Sequence, residues 1–216
     1  MKLPPPKPGP NASYAAKLKY LTQLLLDDDN QLKPIVATSG FKDIFREVCN
    51  FMDSLGAMFG FVSSDISSKI KSLEVVAKSN PPQYSTCEGL IEYEVKNNLA
   101  SKGWSGCKCI ERLLRALNFT LKLLQDLIEA APNDSAATVA VAAYQATLSK
   151  HHGWFVRKTV ETAMYTLPNR DELVSKLCGP GSPKHAQDAV SFACNALVIM
   201  CKQLHVPLAK HNLLNL

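Results

Sequence analysis

Hydrophobic residues recur along most of the chain at the spacing of amphipathic helices. They return every three or four positions, and no stretch alternates apolar and polar residues as a strand would. Proline and glycine separate these stretches from one another. The pattern predicts helices over Tyr14–Asp28, Phe41–Ser54, Ser63–Ser79, Gly89–Leu99, Cys107–Ala131, Ser135–Ser149, Trp154–Thr166, Asp171–Leu177 and Lys184–Leu204.

These elements predict an all-α fold of roughly eight helices in a single domain. Five prolines within residues 1–10 indicate a flexible leader, and the domain is expected over residues 11–216. The helices over Ser135–Ser149 and Lys184–Cys201 are apolar on nearly every face. Because that is more apolar surface than a four-helix bundle buries, we expect an interior cavity.

Composition narrows the class of protein. A chain of 216 residues with 46% hydrophobic residues is not an intrinsically disordered protein. No apolar run is long enough for a membrane span, and the N-terminal residues lack the apolar segment of a secretory signal. We therefore expect a cytoplasmic protein. The net charge of +5 permits attraction to phosphate, but no basic run interleaved with aromatic residues predicts nucleic-acid binding.

The seven cysteines have no regular spacing, which is typical of buried free thiols in a cytoplasmic protein. Cys107 and Cys109, with His151 and His152, are the residues nearest to a zinc-binding pattern. Their spacing departs from the usual pair of cysteines separated by two to four residues. We predict neither a metal nor a cofactor.

Two clusters of charged residues stand on predicted helices. Asp65 and Lys69 are four residues apart and share a helix face, where a solvated ion pair is the ordinary arrangement. Lys108, Arg112 and Arg115 form a basic stripe on the long helix. Such a stripe either faces water or holds a phosphate, because guanidinium and ammonium donors match phosphate oxygens.

A third cluster, His151-His152-Gly153-Trp154, lies between two predicted helices, where a packed or capping histidine is the ordinary arrangement. No nucleophile with a matching base and no glycine-rich phosphate loop can be found in the chain. The sequence therefore does not predict an enzyme.

In order and spacing, these clusters resemble the glycolipid transfer protein family, closest to its ceramide-1-phosphate transfer branch. The segments that carry the resemblance are Phe51–Gly56, Val62–Ile66, Arg112–Leu117, His151–Arg157 and Ala163–Pro168. The resemblance implies a two-layer helical sandwich that encloses a lipid cavity. It also implies non-enzymatic transfer of a sphingolipid between membranes.

The family's functional residues imply a role for each matching position. Asp65 corresponds to the carboxylate that accepts hydrogen bonds from the sphingoid amide and hydroxyl, and His152 to the imidazole that donates to the amide carbonyl. Arg115 matches a basic position that follows the recognition residues. Trp154 is the implied aromatic residue at the membrane surface. The resemblance thus implies a sphingolipid ligand, transient peripheral contact with membranes, and a monomer.

Two positions decide which head group the resemblance implies. Lys69 and Arg112 stand where sugar-selective members have Asn and a stacking Trp, and Lys108 stands where phosphate-selective members have a further Arg. The implied ligand is ceramide-1-phosphate, bound by Asp65, Lys69, Lys108, Arg112 and His152. Two alternatives remain: a glycosphingolipid carrier, or a lipid-sensing or interaction protein without transfer activity.

Overall fold

The structure, a computed structural model, describes residues 6–25, 40–79, 82–179 and 183–216. Over these ranges the chain is helical and contains no strand, so the all-α prediction is confirmed. The helices are α1 (Tyr14–Leu25), α2 (Gly40–Ser54), α3 (Gly60–Ser79), α4 (Cys87–Lys96), α5 (Gly106–Glu129), α6 (Ala136–Ala146), α7 (Trp154–Met164), α8 (Arg170–Cys178) and α9 (Pro183–Lys210). Residues 1–5 of the predicted leader and residues 26–28 of the first predicted helix lie outside the described ranges.

Side-chain caps set several of the helix starts. The hydroxyl of Thr86 accepts the N–H of Gly89 at 3.0 Å and caps α4, which therefore begins two residues before the predicted start at Gly89. A Cβ at Gly89 would lie 2.8 Å from the carbonyl oxygen of Gln83, so this position requires glycine. Ser105 caps α5 in the same way by accepting the N–H of Lys108.

The predicted end of the last helix at Leu204 is wrong, because α9 continues to Lys210. The extension passes through Pro207, which cannot donate a backbone hydrogen bond to the helix. Leu204 and Leu208 are both buried, so packing of their side chains offsets the missing bond.

The core forms around α5 and α9, the two longest helices, which pack against each other. Helix α5 also contacts α3, α4 and α6, and α9 also contacts α1, α4 and α8. Helix α2 joins α1 to α3, and α7 packs on α6. The largest fully buried aliphatic side chains include Ile44, Leu73, Leu90, Ile91, Ile110, Leu113, Leu117, Leu127 and Leu173. All seven cysteine side chains are buried thiols.

Residues Val190–Lys210 of α9 are long and apolar enough to cross a membrane, with a mean hydropathy of 1.3. The prediction that no apolar run is long enough for a membrane span is therefore wrong on length and composition. About half of the segment, 47%, is buried inside the structure, and a core helix meets the same criteria of length and composition.

Candidate functional site

A cavity of about 560 Å³ lies among α2, α3, α5, α6 and α7, in agreement with the predicted interior cavity. Most of its lining is apolar and comes from residues such as Val48, Phe51, Met52, Ile66, Phe119, Leu123, Val160 and Met164. The charged and imidazole side chains of the lining form what we call the polar cluster: Asp65, Lys69, Arg112, Arg115, His151 and His152. A molecule with an apolar body and a polar head fits this division.

Helix α3 supplies the carboxylate of the polar cluster. Asp65 and Lys69 form a hydrogen-bonded ion pair one turn apart. The Asp65 side chain is 66% exposed, whereas that of Lys69 is 12% exposed. The carboxylate therefore keeps oxygens that can accept N–H and O–H donors from a ligand, while the ammonium is largely enclosed and acts on nearby anions with little screening.

Helix α5 supplies two guanidinium groups. Arg112 lines the cavity, and its Cζ lies 5.0 Å from the ring centre of Trp104. Arg115 also lines the cavity, and its Nη2 donates to the carbonyl of Leu214 at 3.5 Å. Together with Lys69, these groups concentrate positive charge on one part of the lining, which favours an anionic head group.

A buried carboxylate lies behind the guanidinium groups. Glu111 is 2% exposed and forms an ion pair with Nε of Arg115. Burial raises the pKa of Glu111 to about 7, against the opposing effect of Arg115 and Arg112. Its Oε2 has no hydrogen-bond partner among the described residues. Glu111 thus neutralises part of the charge on Arg115 and leaves Arg112 as the less compensated guanidinium.

His152 is oriented by a tyrosine that the sequence did not point to. A short 3-10 turn, Ser149–His151, follows α6 and brings His152 back towards Tyr144, whose hydroxyl lies 2.8 Å from Nδ1 of His152. Tyr144 is 1% exposed, and within the described ranges Nδ1 is its hydroxyl's hydrogen-bond partner. Because a buried hydroxyl needs an acceptor for its proton, we infer that Tyr144 donates to Nδ1.

That bond determines where the imidazole carries its proton. Desolvation lowers the pKa of His152, with a smaller lowering effect from Lys69 and Arg115 and an opposing effect from Asp65, so the ring is neutral at pH 7. A neutral ring that accepts at Nδ1 carries its proton on Nε2. His152 can therefore donate a hydrogen bond to a carbonyl oxygen in the cavity. Tyr144 was missed because a tyrosine in an apolar helix is typical of the core, and nothing in the sequence links it to His152.

The structure brings together four of the five predicted head-group residues: Asp65, Lys69, Arg112 and His152 all line the cavity. The fifth, Lys108, does not line it, and its ammonium donates to the carbonyls of Ser101 at 2.7 Å and Gly103 at 3.1 Å. A direct role of Lys108 in binding stays a prediction.

Trp154 is exposed at the first position of α7, two residues after His152. Phe155 beside it is also exposed, and Val156 lines the cavity. The contact of Trp154 with membranes stays a prediction. Across the described part of the chain, no three His, Cys, Asp or Glu side chains form a group that could hold a metal ion.

Comparison with known proteins decides the family. Residues 36–179, about two thirds of the chain, match the family model described as glycolipid transfer protein. The chain belongs to the glycolipid transfer protein family. The resemblance noted in the sequence is thereby confirmed.

Relatives within the glycolipid transfer protein family are similar over different lengths. The ceramide-1-phosphate transfer protein of Danio rerio is 36% identical over 135 residues, which are 59% of this chain and 64% of that protein. The ceramide-1-phosphate transfer protein of Rattus norvegicus is 28% identical over 219 residues, which are 96% of this chain and 99% of that protein. The crystal structure of the mouse ceramide-1-phosphate transfer protein without ligand superposes with a TM-score of 0.84 at 26% identity. That superposition covers 95% of this chain and 100% of the mouse chain.

Proposed function

We propose that this protein is a non-enzymatic carrier that transfers ceramide-1-phosphate between membranes. The observation that carries the proposal is the joint placement of Lys69, Arg112, Asp65 and His152 on the lining of an otherwise apolar cavity. The names of the relatives in Danio rerio and Rattus norvegicus support the same ligand.

A carrier is needed because such lipids leave a membrane slowly. Two lipid chains contain on the order of 30 methylenes, and exposing each to water costs about 0.8 kcal/mol, so extraction into water costs roughly 20 kcal/mol or more. A cavity lined by Phe119, Leu123, Val160 and similar side chains replaces the membrane interior and offsets most of that cost.

The apolar cavity does not select the head group, because lipids with the same chains gain equally from burial. Selection falls to the polar cluster. Lys69 and Arg112 bind the phosphate through charge-assisted hydrogen bonds, whereas Asp65 and His152 bind the amide and hydroxyl common to all ceramides. A neutral sugar gains little from the two cations.

We also propose that the protein acts as a monomer in the cytoplasm and makes transient peripheral contact with membranes. Trp154 and Phe155 are exposed at the start of α7, close in sequence to His152, and aromatic residues favour the membrane–water interface. Insertion of these rings would bring the cavity to the lipid surface.

Transfer between vesicles tests the proposal. Donor vesicles carry either ceramide-1-phosphate or galactosylceramide with the same acyl chain, and arrival in acceptor vesicles is followed over time. We expect faster transfer of ceramide-1-phosphate, and we expect Arg112→Ala to abolish that preference while the variant stays folded. Faster transfer of galactosylceramide would contradict the proposal and favour a glycosphingolipid carrier. Binding without transfer of either lipid would instead favour a lipid sensor.

A further inference from the structure

The loop between α4 and α5 places an aromatic ring against the polar cluster. Trp104 lies two residues before the start of α5, and the Cζ of Arg112 lies 5.0 Å from the centre of its ring. Trp104 is 60% exposed, so burial in the core does not explain its position. Contact with a guanidinium stabilises an exposed indole through the negative face of its ring.

The backbone around Trp104 is fixed by hydrogen bonds from α5. The ammonium of Lys108 donates to the carbonyl of Ser101 at 2.7 Å and to that of Gly103 at 3.1 Å. Gly103 has a φ of 45°, a left-handed conformation that favours glycine. The loop is thus held in one conformation immediately before Trp104, and the indole keeps its place over Arg112 without being buried.

We propose that Trp104 is a positioning residue for phosphate-headed lipids, because it holds the Arg112 guanidinium with its N–H donors directed at the head group. The inference rests on the proposed function. A guanidinium that stacks on an aromatic face keeps its donors available along its edge, and two such donors match two phosphate oxygens. Arg112 lines the cavity, so its edge is within reach of a bound head group.

Restricting Arg112 before the ligand arrives strengthens binding. A flexible arginine loses rotamer freedom when it binds, and a side chain already held in place loses less. The gain applies only to a ligand that uses Arg112. Trp104 therefore increases the selectivity of binding for lipids with a phosphate over those without one. Lys108 contributes to this selectivity through the loop that it anchors.

Binding in solution to two lipids that differ only in the phosphate tests this role. The probes are short-acyl ceramide-1-phosphate and ceramide with the same acyl chain, and the proteins are wild type, Trp104→Ala and Trp104→Phe. We expect Trp104→Ala to weaken binding of ceramide-1-phosphate about threefold to tenfold, the cost of ordering one unrestrained arginine side chain on binding, and to leave ceramide binding unchanged. Trp104→Phe keeps an aromatic face and should recover part of the loss.

The outcomes separate this inference from the proposed function. A wild-type protein that prefers ceramide-1-phosphate, with the same preference in Trp104→Ala, would overturn the role of Trp104 alone. An equal loss of affinity for both lipids would overturn it too, because the residue would then act on the whole cavity. Equal binding of both lipids by the wild type would overturn the proposed function and, with it, this inference.

Fluorescence provides a second readout, because the chain has only two tryptophans. In a Trp154→Phe variant all tryptophan emission comes from Trp104. Phosphate binding neutralises the charge of the guanidinium beside the ring, so we expect short-acyl ceramide-1-phosphate to change the emission and ceramide to leave it unchanged. An identical response to both lipids, or no response to either, would contradict the proposed role of Trp104.

Discussion

Replacing Tyr144 with Phe removes one hydroxyl and keeps the ring that packs near Phe119, with ring centres 6.4 Å apart. The lost hydrogen bond joins the Tyr144 hydroxyl to Nδ1 of His152 at 2.8 Å. Such a bond contributes about 1 kcal/mol, and leaving the half-buried Nδ1 without a partner adds about 1 kcal/mol more. For a chain of this size, a loss of 1–2 kcal/mol lowers Tm by roughly 2–8 °C.

The functional effect of Tyr144→Phe exceeds what a small loss of stability explains. Without the tyrosine proton at Nδ1, the imidazole of His152 no longer has its own proton confined to Nε2. A loss of about 1–2 kcal/mol of binding free energy through this lost orientation lowers the affinity for ceramide-1-phosphate about fivefold to thirtyfold.

Vesicle transfer rates and the ¹⁵N chemical shifts of His152 measure the two effects together. Tyr165→Phe is the matched control, because it makes the same change at an exposed tyrosine outside the cavity lining and should transfer as the wild type does. Transfer at the wild-type rate by Tyr144→Phe, with the proton still on Nε2, would show that Tyr144 does not orient His152.

Glu111 and Trp154 give two further predictions. The pKa of Glu111 is raised from 4.5 to about 7, so the stability that its protonated form contributes is complete below pH 4.5 and is lost as the pH rises through about 7. Compared with Glu111→Gln, we expect the wild type to lose roughly 3 kcal/mol of unfolding free energy between pH 4.5 and pH 8 in denaturant titrations, and parallel pH profiles would contradict this. Trp154→Ala should bind short-acyl ceramide-1-phosphate normally but adsorb more weakly to vesicles, whereas Val75→Ala, at another exposed apolar position, should adsorb like the wild type. Adsorption of Trp154→Ala equal to that of Val75→Ala would show that Trp154 does not contribute to membrane contact.

The helices could be predicted from sequence because burial of one face imposes a regular spacing on the apolar residues. Their ends could be predicted less well, since they depend on individual contacts. The hydroxyl of Thr86 begins α4 before Gly89, and packing of Leu208 carries α9 past Pro207. Such contacts join residues whose types alone do not reveal the pairing.

The contacts of the candidate site likewise differ in how well the sequence predicts them. Asp65 and Lys69 are one helical turn apart, so the ion pair follows from spacing. The contact of Tyr144 with His152 depends on how the chain turns after α6, which local spacing does not determine. The ammonium of Lys108 is directed at a loop that the helical pattern leaves undefined, which explains why it does not line the cavity with Arg112.

Native mass spectrometry of the captured lipid measures directly which head group the protein selects. The protein is incubated with vesicles that contain equal amounts of ceramide-1-phosphate, galactosylceramide and ceramide, all with the same acyl chain. It is then separated from the vesicles, and the mass of the protein–lipid complex is measured. We expect one lipid per protein chain and a clear excess of ceramide-1-phosphate in the wild type, which Arg112→Ala loses. An equal or larger share of galactosylceramide in the wild type would contradict selection of the phosphate.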